Sequence, residues 1–331
     1  MTTRDNQPPA SPPGRPEPPV AATPTGHLLG QVDLVASAPE GGDASSNGGM
    51  ARQIIRVFVE NKLAVAGLIA IVFFLLFCYV GPLIYHTNQT NAETALNNAQ
   101  NGSPGGGHLL GTDNTGFDMV GRLMYGGQAS LLVGFASAAV ATVIGVIYGA
   151  VSGFAGGWLD ALMMRFVDMI LSMPVLFLLI ALVTIEGQSE ILIIFVIAAV
   201  SWLIPARLVR GETLTLRVRE YVQAVRIMGG SRTRIIGRHI VPNAVGTIVV
   251  FATFQIADSI LLLAALGFIG LGIPAPGTDW GSMLSDGVNS AALGYWWEIY
   301  PAGLCIILVV IAFNFVGDAL RDALEVRLQR R

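Results

Sequence analysis

The sequence predicts an all-α integral membrane protein with six transmembrane helices and both termini in the cytoplasm. Three observations predict this class: an apolar composition, long runs without charged residues, and a one-sided distribution of basic residues. Of the 331 residues, 53% are hydrophobic and only 12% are charged, whereas charged residues make up about a quarter of an ordinary soluble domain. Lipid is therefore the expected solvent, and a soluble enzyme is the wrong class.

Six apolar runs are long enough to cross a membrane, because about 20 helical residues span a hydrocarbon core about 30 Å thick. The third run carries Arg165 and Asp168 near its start, so its spanning part should begin near Met169, and a local ion pair between the two is expected. The fifth run exceeds the bilayer thickness and must tilt, break or protrude. The runs are 63–81, 129–153, 159–185, 191–208, 245–272 and 300–316.

The chain also divides by composition. Residues 1–50 hold nine of the 17 prolines and the run GGDASSNGG, a composition that buries too little apolar area to offset its ordering entropy. A disordered cytoplasmic tail is predicted there, with a proline-rich recognition arm as the alternative. The other segments are the first span with its basic flank (51–82), an extracytoplasmic loop (83–128), a core of five spans with links at 209–244 and 273–299 (129–318), and a basic cytoplasmic C-terminus (319–331).

The orientation follows from the basic residues, which favour cytoplasmic loops. Basic residues precede the first span, fill the link between the fourth and fifth spans, and recur at the C-terminus. The alternate loops, 82–128, 186–190 and 273–299, together hold one basic residue, Arg122. Both termini are therefore expected inside the cell.

Several kinds of chemistry are excluded by residue type. A P-loop needs Gly-x4-Gly-Lys-Ser/Thr, and the single lysine, Lys62, has no glycine before it in VFVENKLAV. Cys78 and Cys305 lie in apolar runs without metal-ligand spacing and are predicted to be buried hydrophobic residues. No catalytic residue, bound cofactor or metal site is predicted in this chain.

The most informative segment is the link 209–244. Between Glu220 and Met228 one helical face is formed by Tyr221, Val222, Val225 and Met228. Gly229-Gly230 ends that helix, and Ser231 can cap a second one. Residues 207–238 hold eight arginines. By its residues alone this element is either an amphipathic hairpin on anionic lipid headgroups or a docking element for a soluble partner.

The run EYVQAVRIMGGSRTRIIGRHIVPNA resembles the EAA loop of bacterial ABC importer permeases. Gln223-Ala224-Val225 takes the place of the Glu-Ala-Ala pattern, Gly229 that of the glycine, and 240–242 that of the closing Ile-Leu-Pro. The runs RVFVENKLAVAGLIAIVFFLLFCYVGPLI, HLLGTDNTGFDMVGRLMYGGQASLLVG and LGFIGLGIPAPGTDWGSML resemble the second permease of the dipeptide, oligopeptide and nickel importer group. The resemblance covers about residues 52–325.

The resemblance implies a type I ABC importer permease that carries di- or oligopeptides, or nickel or another small solute. It also implies four kinds of partner: a second homologous permease, one or two cytoplasmic ABC ATPase subunits that bind ATP and Mg, an extracytoplasmic substrate-binding protein, and the lipid of the bacterial cell membrane. No nucleic acid is implied. The residues expected to couple the chain to the ATPase are Glu220, Tyr221, Gln223, Ala224, Val225, Arg226, Met228, Gly229, Gly230, Ser231, Arg232 and Pro242.

Within the spans, Gly145, Gly149 and Gly153 form a close helix-packing face, toward this chain or toward the second permease. Asp258 in the middle of the fifth span, beside Gln255, is expected either to line the substrate path or to hydrogen-bond within the bundle.

The outer segment GTDNTGFDMVGRLMYGG is predicted to form an interfacial helix with Asp113, Phe117, Asp118 and Met124, and a metal site at its two acids is the less favoured alternative. Two competing functions remain: an ion-driven secondary transporter, which would need inverted repeats, and a membrane hydrolase, which would need a catalytic cluster at one depth.

Overall fold

A computed structural model describes residues 58–86 and 92–329. Within these ranges the regular structure is helical, apart from two isolated β-bridges, Gly105 to His108 and Thr112 to Asp118. The predicted N-terminal tail, residues 1–50, lies outside the described residues. Four of the described helices are long and apolar enough to cross a membrane, and the number rises to six if each of two bent pairs forms one span.

The first helix, α1, spans Lys62–Ile84 and contains one π-helical turn, Leu76–Val80. It begins after Asn61, whose side-chain oxygen accepts hydrogen bonds from the backbone amides of the second and third residues that follow. A short helix, α2, covers Ala92–Ala95. The long helix α3, Met119–Ala155, begins after its cap Asp118, well before the predicted start at residue 129, and ends at Gly156 with a positive φ of 65°.

The third apolar run, predicted as one span, forms two helices. These are α4, Gly157–Leu171, and α5, Val175–Glu186, and they meet at an angle of 85°. Pro174 lies between them, and a proline disfavours helical geometry at the residue before it. The third run is therefore not one straight helix from Met169, because the chain turns sharply at residues 172–174.

The fourth run is bent as well. It consists of α6, Glu190–Ser201, and α7, Leu203–Leu216, which differ in direction by 43°. Pro205 lies in the first turn of α7, where its ring would clash with the carbonyl of the residue four positions earlier in a straight helix. The bend at Trp202 relieves that clash.

The link and the fifth run contain α8, Glu220–Ile227, and α9, Arg232–Phe268. The expected second short helix is not separate, because it continues through a π-helical turn, Ile236–Ile240, into the fifth span. At about 1.5 Å per residue, a helix of 37 residues extends well beyond the hydrocarbon core. The fifth span therefore protrudes, which is one of the three outcomes that its length required.

The last part of the chain contains α10, Trp280–Ala292, a 3-10 turn, Trp296–Glu298, and α11, Tyr300–Gln329. Two apolar clusters hold the bundle together. One joins α1, α3, α9, α10 and α11 around Phe74, Trp280 and Phe313; the other joins α3, α4, α5, α6, α7 and α9 around Val167, Leu179 and Ile197.

Candidate coupling site

The helix α8 is attached to the bundle by one edge only. Val222 is 1% exposed and packs with Ile235 and Ile240 of α9, and the half-buried side chains around them include Phe154 at the end of α3 and Leu216 at the end of α7. This small cluster is separate from the two cores of the bundle. It fixes the base of α8 and leaves the remaining faces of the helix exposed.

The turn after α8 is a Schellman motif. The amide of Gly229 donates to the carbonyl of Arg226 at 3.1 Å, and that of Gly230 donates to the carbonyl of Val225 at 2.9 Å. Gly229 has a φ of 81°, which glycine adopts without steric cost. The hydroxyl of Ser231 then accepts from the amide of Arg234 and caps α9. Pro242 lies in α9 just beyond the π-helical turn.

The apolar side chains of α8 form two groups: a buried group that attaches the helix, and an exposed group at its C-terminal end that we call the tip. The sequence placed Tyr221, Val222, Val225 and Met228 on one face, but the structure buries only Val222 and half-buries Val225. Tyr221 is 42% and Met228 77% exposed. Ile227, which the periodicity did not select, is 85% exposed beside Met228 and extends the apolar tip.

Polar residues surround this tip. Glu220 lies in the first turn of α8, where a carboxylate interacts favourably with the helix dipole. The other predicted members are exposed, so the surface combines small, apolar and cationic groups. These members are Gln223, Ala224, Arg226, Gly229 and Arg232. We use the name coupling surface for the exposed residues 220–232.

Behind the coupling surface, α7 lies directly against α3. A Cβ on Gly145 would lie 2.9 Å from the carbonyl oxygen of Trp202, and one on Gly153 would lie 2.8 Å from that of Arg210. One on Gly149 would collide with the carbonyl of Ala206. The glycines and these three carbonyls both recur every four residues, so the two backbones run side by side over two turns. The glycine face thus packs within this chain.

Ion pairs connect α4 to α7. Asp160 accepts two hydrogen bonds from Arg210, at 2.6 and 2.7 Å. Asp168 pairs with Arg207. The expected local pair between Arg165 and Asp168 is therefore wrong, because the Asp168 carboxylate pairs with the guanidinium of Arg207 on α7 instead.

The two polar residues of the fifth span face different surroundings. Gln255 is 5% exposed, whereas Asp258 lies on an exposed part of α9. The structure therefore does not bring them together as one lining. Nearer the link 209–244, Thr247 and Phe254 of α9 line a cavity of about 360 Å³ with Glu212 of α7 and Arg321 of α11.

The acids of the outer segment hold their own loop together. One oxygen of Asp113 accepts from the amides of Thr115 and Phe117, both at 2.9 Å. Asp118 caps α3 and accepts from the hydroxyl of Tyr85 at 3.0 Å. Among the residues that the structure describes, no group of three or more His, Cys, Asp or Glu side chains could hold a metal ion.

The apolar residues of this segment are buried rather than interfacial. Phe117 is 8% and Met124 1% exposed. Met124 belongs to α3, and a Cβ on Gly81 of α1 would collide with its sulfur atom. The expected interfacial helix is therefore wrong, since the packing of α1 on α3 covers it.

Sequence comparison identifies the family. Residues 127–330 match the family model described as binding-protein-dependent transport system inner membrane component, and residues 49–102 match the N-terminal transmembrane domain of oligopeptide transport permease C. The oligopeptide transport system permease protein OppC of Haemophilus influenzae is 42% identical over 270 residues, which cover 82% of this chain and 86% of that protein.

Two further relatives have similar coverage. The OppC protein of Escherichia coli K12 is 42% identical over 82% of this chain and 89% of its own length. The dipeptide transport system permease protein DppC of Alkalihalophilus pseudofirmus is 40% identical over 84% of this chain and 90% of its own length. Since the family model covers more than half of the chain, the protein belongs to the family of binding-protein-dependent transport system inner membrane components.

Proposed function

We propose that this chain is the permease subunit of an ATP-binding-cassette importer for di- and oligopeptides, driven through the coupling surface. As a member of its family, the chain is a transport subunit rather than an enzyme. The names of its relatives support a peptide substrate. The observation that carries the coupling role is the apolar tip of Ile227 and Met228, held on a Schellman turn and surrounded by arginines.

The proposed topology has six spans with both termini in the cytoplasm. It counts α4 with α5 and α6 with α7 as one broken span each. The basic link 209–244 and the basic C-terminus 319–331 then lie on the cytoplasmic side, while 83–128 and 273–299 lie outside. In this topology the first span lies within 51–82 behind a basic flank, the permease core is 129–318, and the chain lies in the bacterial cell membrane.

The proposed mechanism needs three further partners. A binding protein outside loads a cavity between this chain and a second permease. One or two ATPase subunits bind ATP and Mg inside and receive the α8 tip in a groove. Their closure moves α8 and opens the cavity outward, and hydrolysis resets the pair to face inward. A rigidly held helix suits this task. The base of α8 is fixed by the packing of Val222, and its C-terminus is fixed by the turn at Gly229.

Ala224 offers the sharpest test. Its methyl group is exposed, so Ala224→Trp adds bulk to the coupling surface without disturbing the packing of this chain. In proteoliposomes with all subunits, we expect it to reduce ATP-dependent peptide uptake by about tenfold or more, as the loss of a central contact does in tight interfaces. Ala224→Ser is the matched control and should retain uptake.

A second measurement separates coupling from assembly. The chain should co-purify with a second permease and a P-loop ATPase, and Ala224→Trp should weaken only the ATPase interaction. Normal uptake by Ala224→Trp would show that α8 does not couple this chain to an ATPase.

A further inference from the structure

A partly buried ion pair joins the three helices α3, α4 and α7. Asp160 of α4 is 7% exposed and accepts from Arg210 of α7 through both carboxylate oxygens. The hydroxyl of Ser152 in α3 donates to the same carboxylate at 2.6 Å. A bidentate arginine–carboxylate pair fixes orientation as well as distance. We use the name clamp for Ser152, Asp160, Arg210 and Arg217.

The clamp is connected to α8 through the end of α7. Arg217, the residue after α7, donates from its guanidinium to the carbonyl of Gly153 at 2.9 Å. Only residues 217–219 separate α7 from the first residue of α8, Glu220. A displacement of α8 therefore reaches Arg210 along a short link and a continuous helix.

Through Asp160 the clamp is also connected to α4 and α5, the two halves of a broken span. α4 begins at Gly157, after its cap Gly156, and both glycines have positive φ; the far end of α4 meets α5 at 85°. The hydroxyl of Tyr148 in α3 donates to the carbonyl of Met163, which gives α4 a second attachment. Because α4 is joined to α5 through a sharp bend, a rotation of α4 would change the direction of α5 in the membrane.

We propose that the Asp160–Arg210 pair transmits the movement of α8 to α4 and thereby to α5, the second half of the same broken span. The inference rests on the proposed function, since it assumes that an ATPase moves α8. Asp160 and Arg210 act in it as positioning residues: they touch neither substrate nor ATPase, and they make α7 and α4 move as one body. Without the pair, the exposed Asp168–Arg207 pair and the apolar packing of Val167 would hold α4 to α7 more loosely, so α4 would follow α7 less closely and more ATP would be hydrolysed per movement of the spans.

The test uses a neutral double variant, Asp160→Asn with Arg210→Gln, in the complete importer in proteoliposomes. Removing only one partner would leave a buried charge without its counter-ion and could unfold the chain, whereas replacing both leaves no orphan charge. The measured quantity is the number of ATP molecules hydrolysed per peptide imported. We expect this ratio to rise about fivefold or more, the lower end of typical coupling between distant sites.

The matched control removes the other ion pair between the same helices, through Asp168→Asn with Arg207→Gln. Those side chains are 51% and 48% exposed, and exposed pairs contribute little because water and salt screen them. The ratio should stay near that of the unmodified importer. An equal rise in both double variants would contradict the assignment to the clamp, and so would an unchanged ratio in the Asp160/Arg210 variant.

Two controls separate this inference from the proposed function. A merely structural role would reduce the amount of assembled importer and lower uptake and hydrolysis together, which leaves their ratio unchanged. The proposed function fails if Ala224→Trp retains normal uptake. The proposed role of the clamp is contradicted, and the proposed function is not, if Ala224→Trp blocks uptake while the Asp160/Arg210 variant keeps a normal ratio of ATP hydrolysed to peptide imported.

Discussion

At the scale of single residues, the chain uses buried polar groups to close its outer loops. Asp279 is fully buried, and its carboxylate accepts from the amides of Ile273, Gly281 and Ser282 and from the hydroxyl of Ser282. The next residue, Trp280, is also fully buried and donates from its indole to the carbonyl of Leu123 at 3.0 Å. Asp279 therefore holds the preceding loop to the start of α10, and Trp280 ties α10 to α3.

Removing the Asp279 carboxylate should therefore destabilise the permease. We expect Asp279→Ala to cost about 2–4 kcal/mol, because it removes a helix cap and leaves buried amide donors without acceptors. Thermal unfolding of the purified permease in detergent would measure the loss. Asp279→Asn keeps one oxygen acceptor for the cap, so its stability should lie between that of Asp279→Ala and that of the unmodified chain. Equal stability of Asp279→Ala and the unmodified chain would contradict the role of the cap.

At the scale of helices, two prolines coincide with the two π-helical turns. The turn Leu76–Val80 is followed by Gly81-Pro82, and the turn Ile236–Ile240 is followed by Val241-Pro242. Proline lacks the amide for the regular helical bond, and its ring clashes with the carbonyl four residues earlier. A wider turn accommodates the ring without ending the helix. This is why α9 continues where the sequence predicted two helices.

The contact between α3 and α7 can be tested with two glycines that have opposite surroundings. Gly149→Ala should destabilise the permease by about 1–3 kcal/mol, since its Cβ would collide with the carbonyl of Ala206. Gly211→Ala in α7 is the control, because a Cβ there meets no atom within 4 Å. It should be neutral or stabilising by about 0.4–1 kcal/mol. Thermal unfolding of both variants compares the costs, and similar values would contradict the close packing.

At the scale of the whole molecule, many large apolar side chains stay exposed on the single chain. Phe177 is 71%, Ile191 70% and Phe195 59% exposed. Lipid and the proposed second permease are the surroundings that such residues suit. In this setting the exposed Asp258 stands out, since a carboxylate is costly against hydrocarbon and is expected to face a water-filled path or a partner.

A substrate role for Asp258 predicts a specific change in transport. If its carboxylate meets the amino terminus of a peptide, Asp258→Asn should raise the KM for uptake of free peptides about tenfold, as the loss of a charged hydrogen bond does. N-acetylated peptides should be little affected. Thr253→Val is the control, since the hydroxyl of Thr253 bonds to the carbonyl of Val249 within the same helix. An unchanged KM would place Asp258 away from the path.

Much of the fold and part of the candidate site could be predicted because they depend on local composition. The apolar runs and the glycine bend of the coupling loop are readable from short windows, since lipid requires long uncharged helices and a helix end favours glycine. The tip was predicted only in part. Ile227 lies off the apolar face of α8. It stays exposed because Phe154 and Leu216 pack around Val222 on the opposite part of the helix surface and do not cover Ile227.

The sequence by itself determined the class of protein and the family, and it predicted the position of the proposed coupling loop; its single lysine lies outside any P-loop. Only the tertiary structure decided which charges meet. Asp168 pairs with Arg207, 39 residues away, and Asp160 with Arg210, 50 residues away. Such pairs depend on how each helix is rotated and bent. Those angles are set by glycine contacts and proline bends that act across the whole bundle.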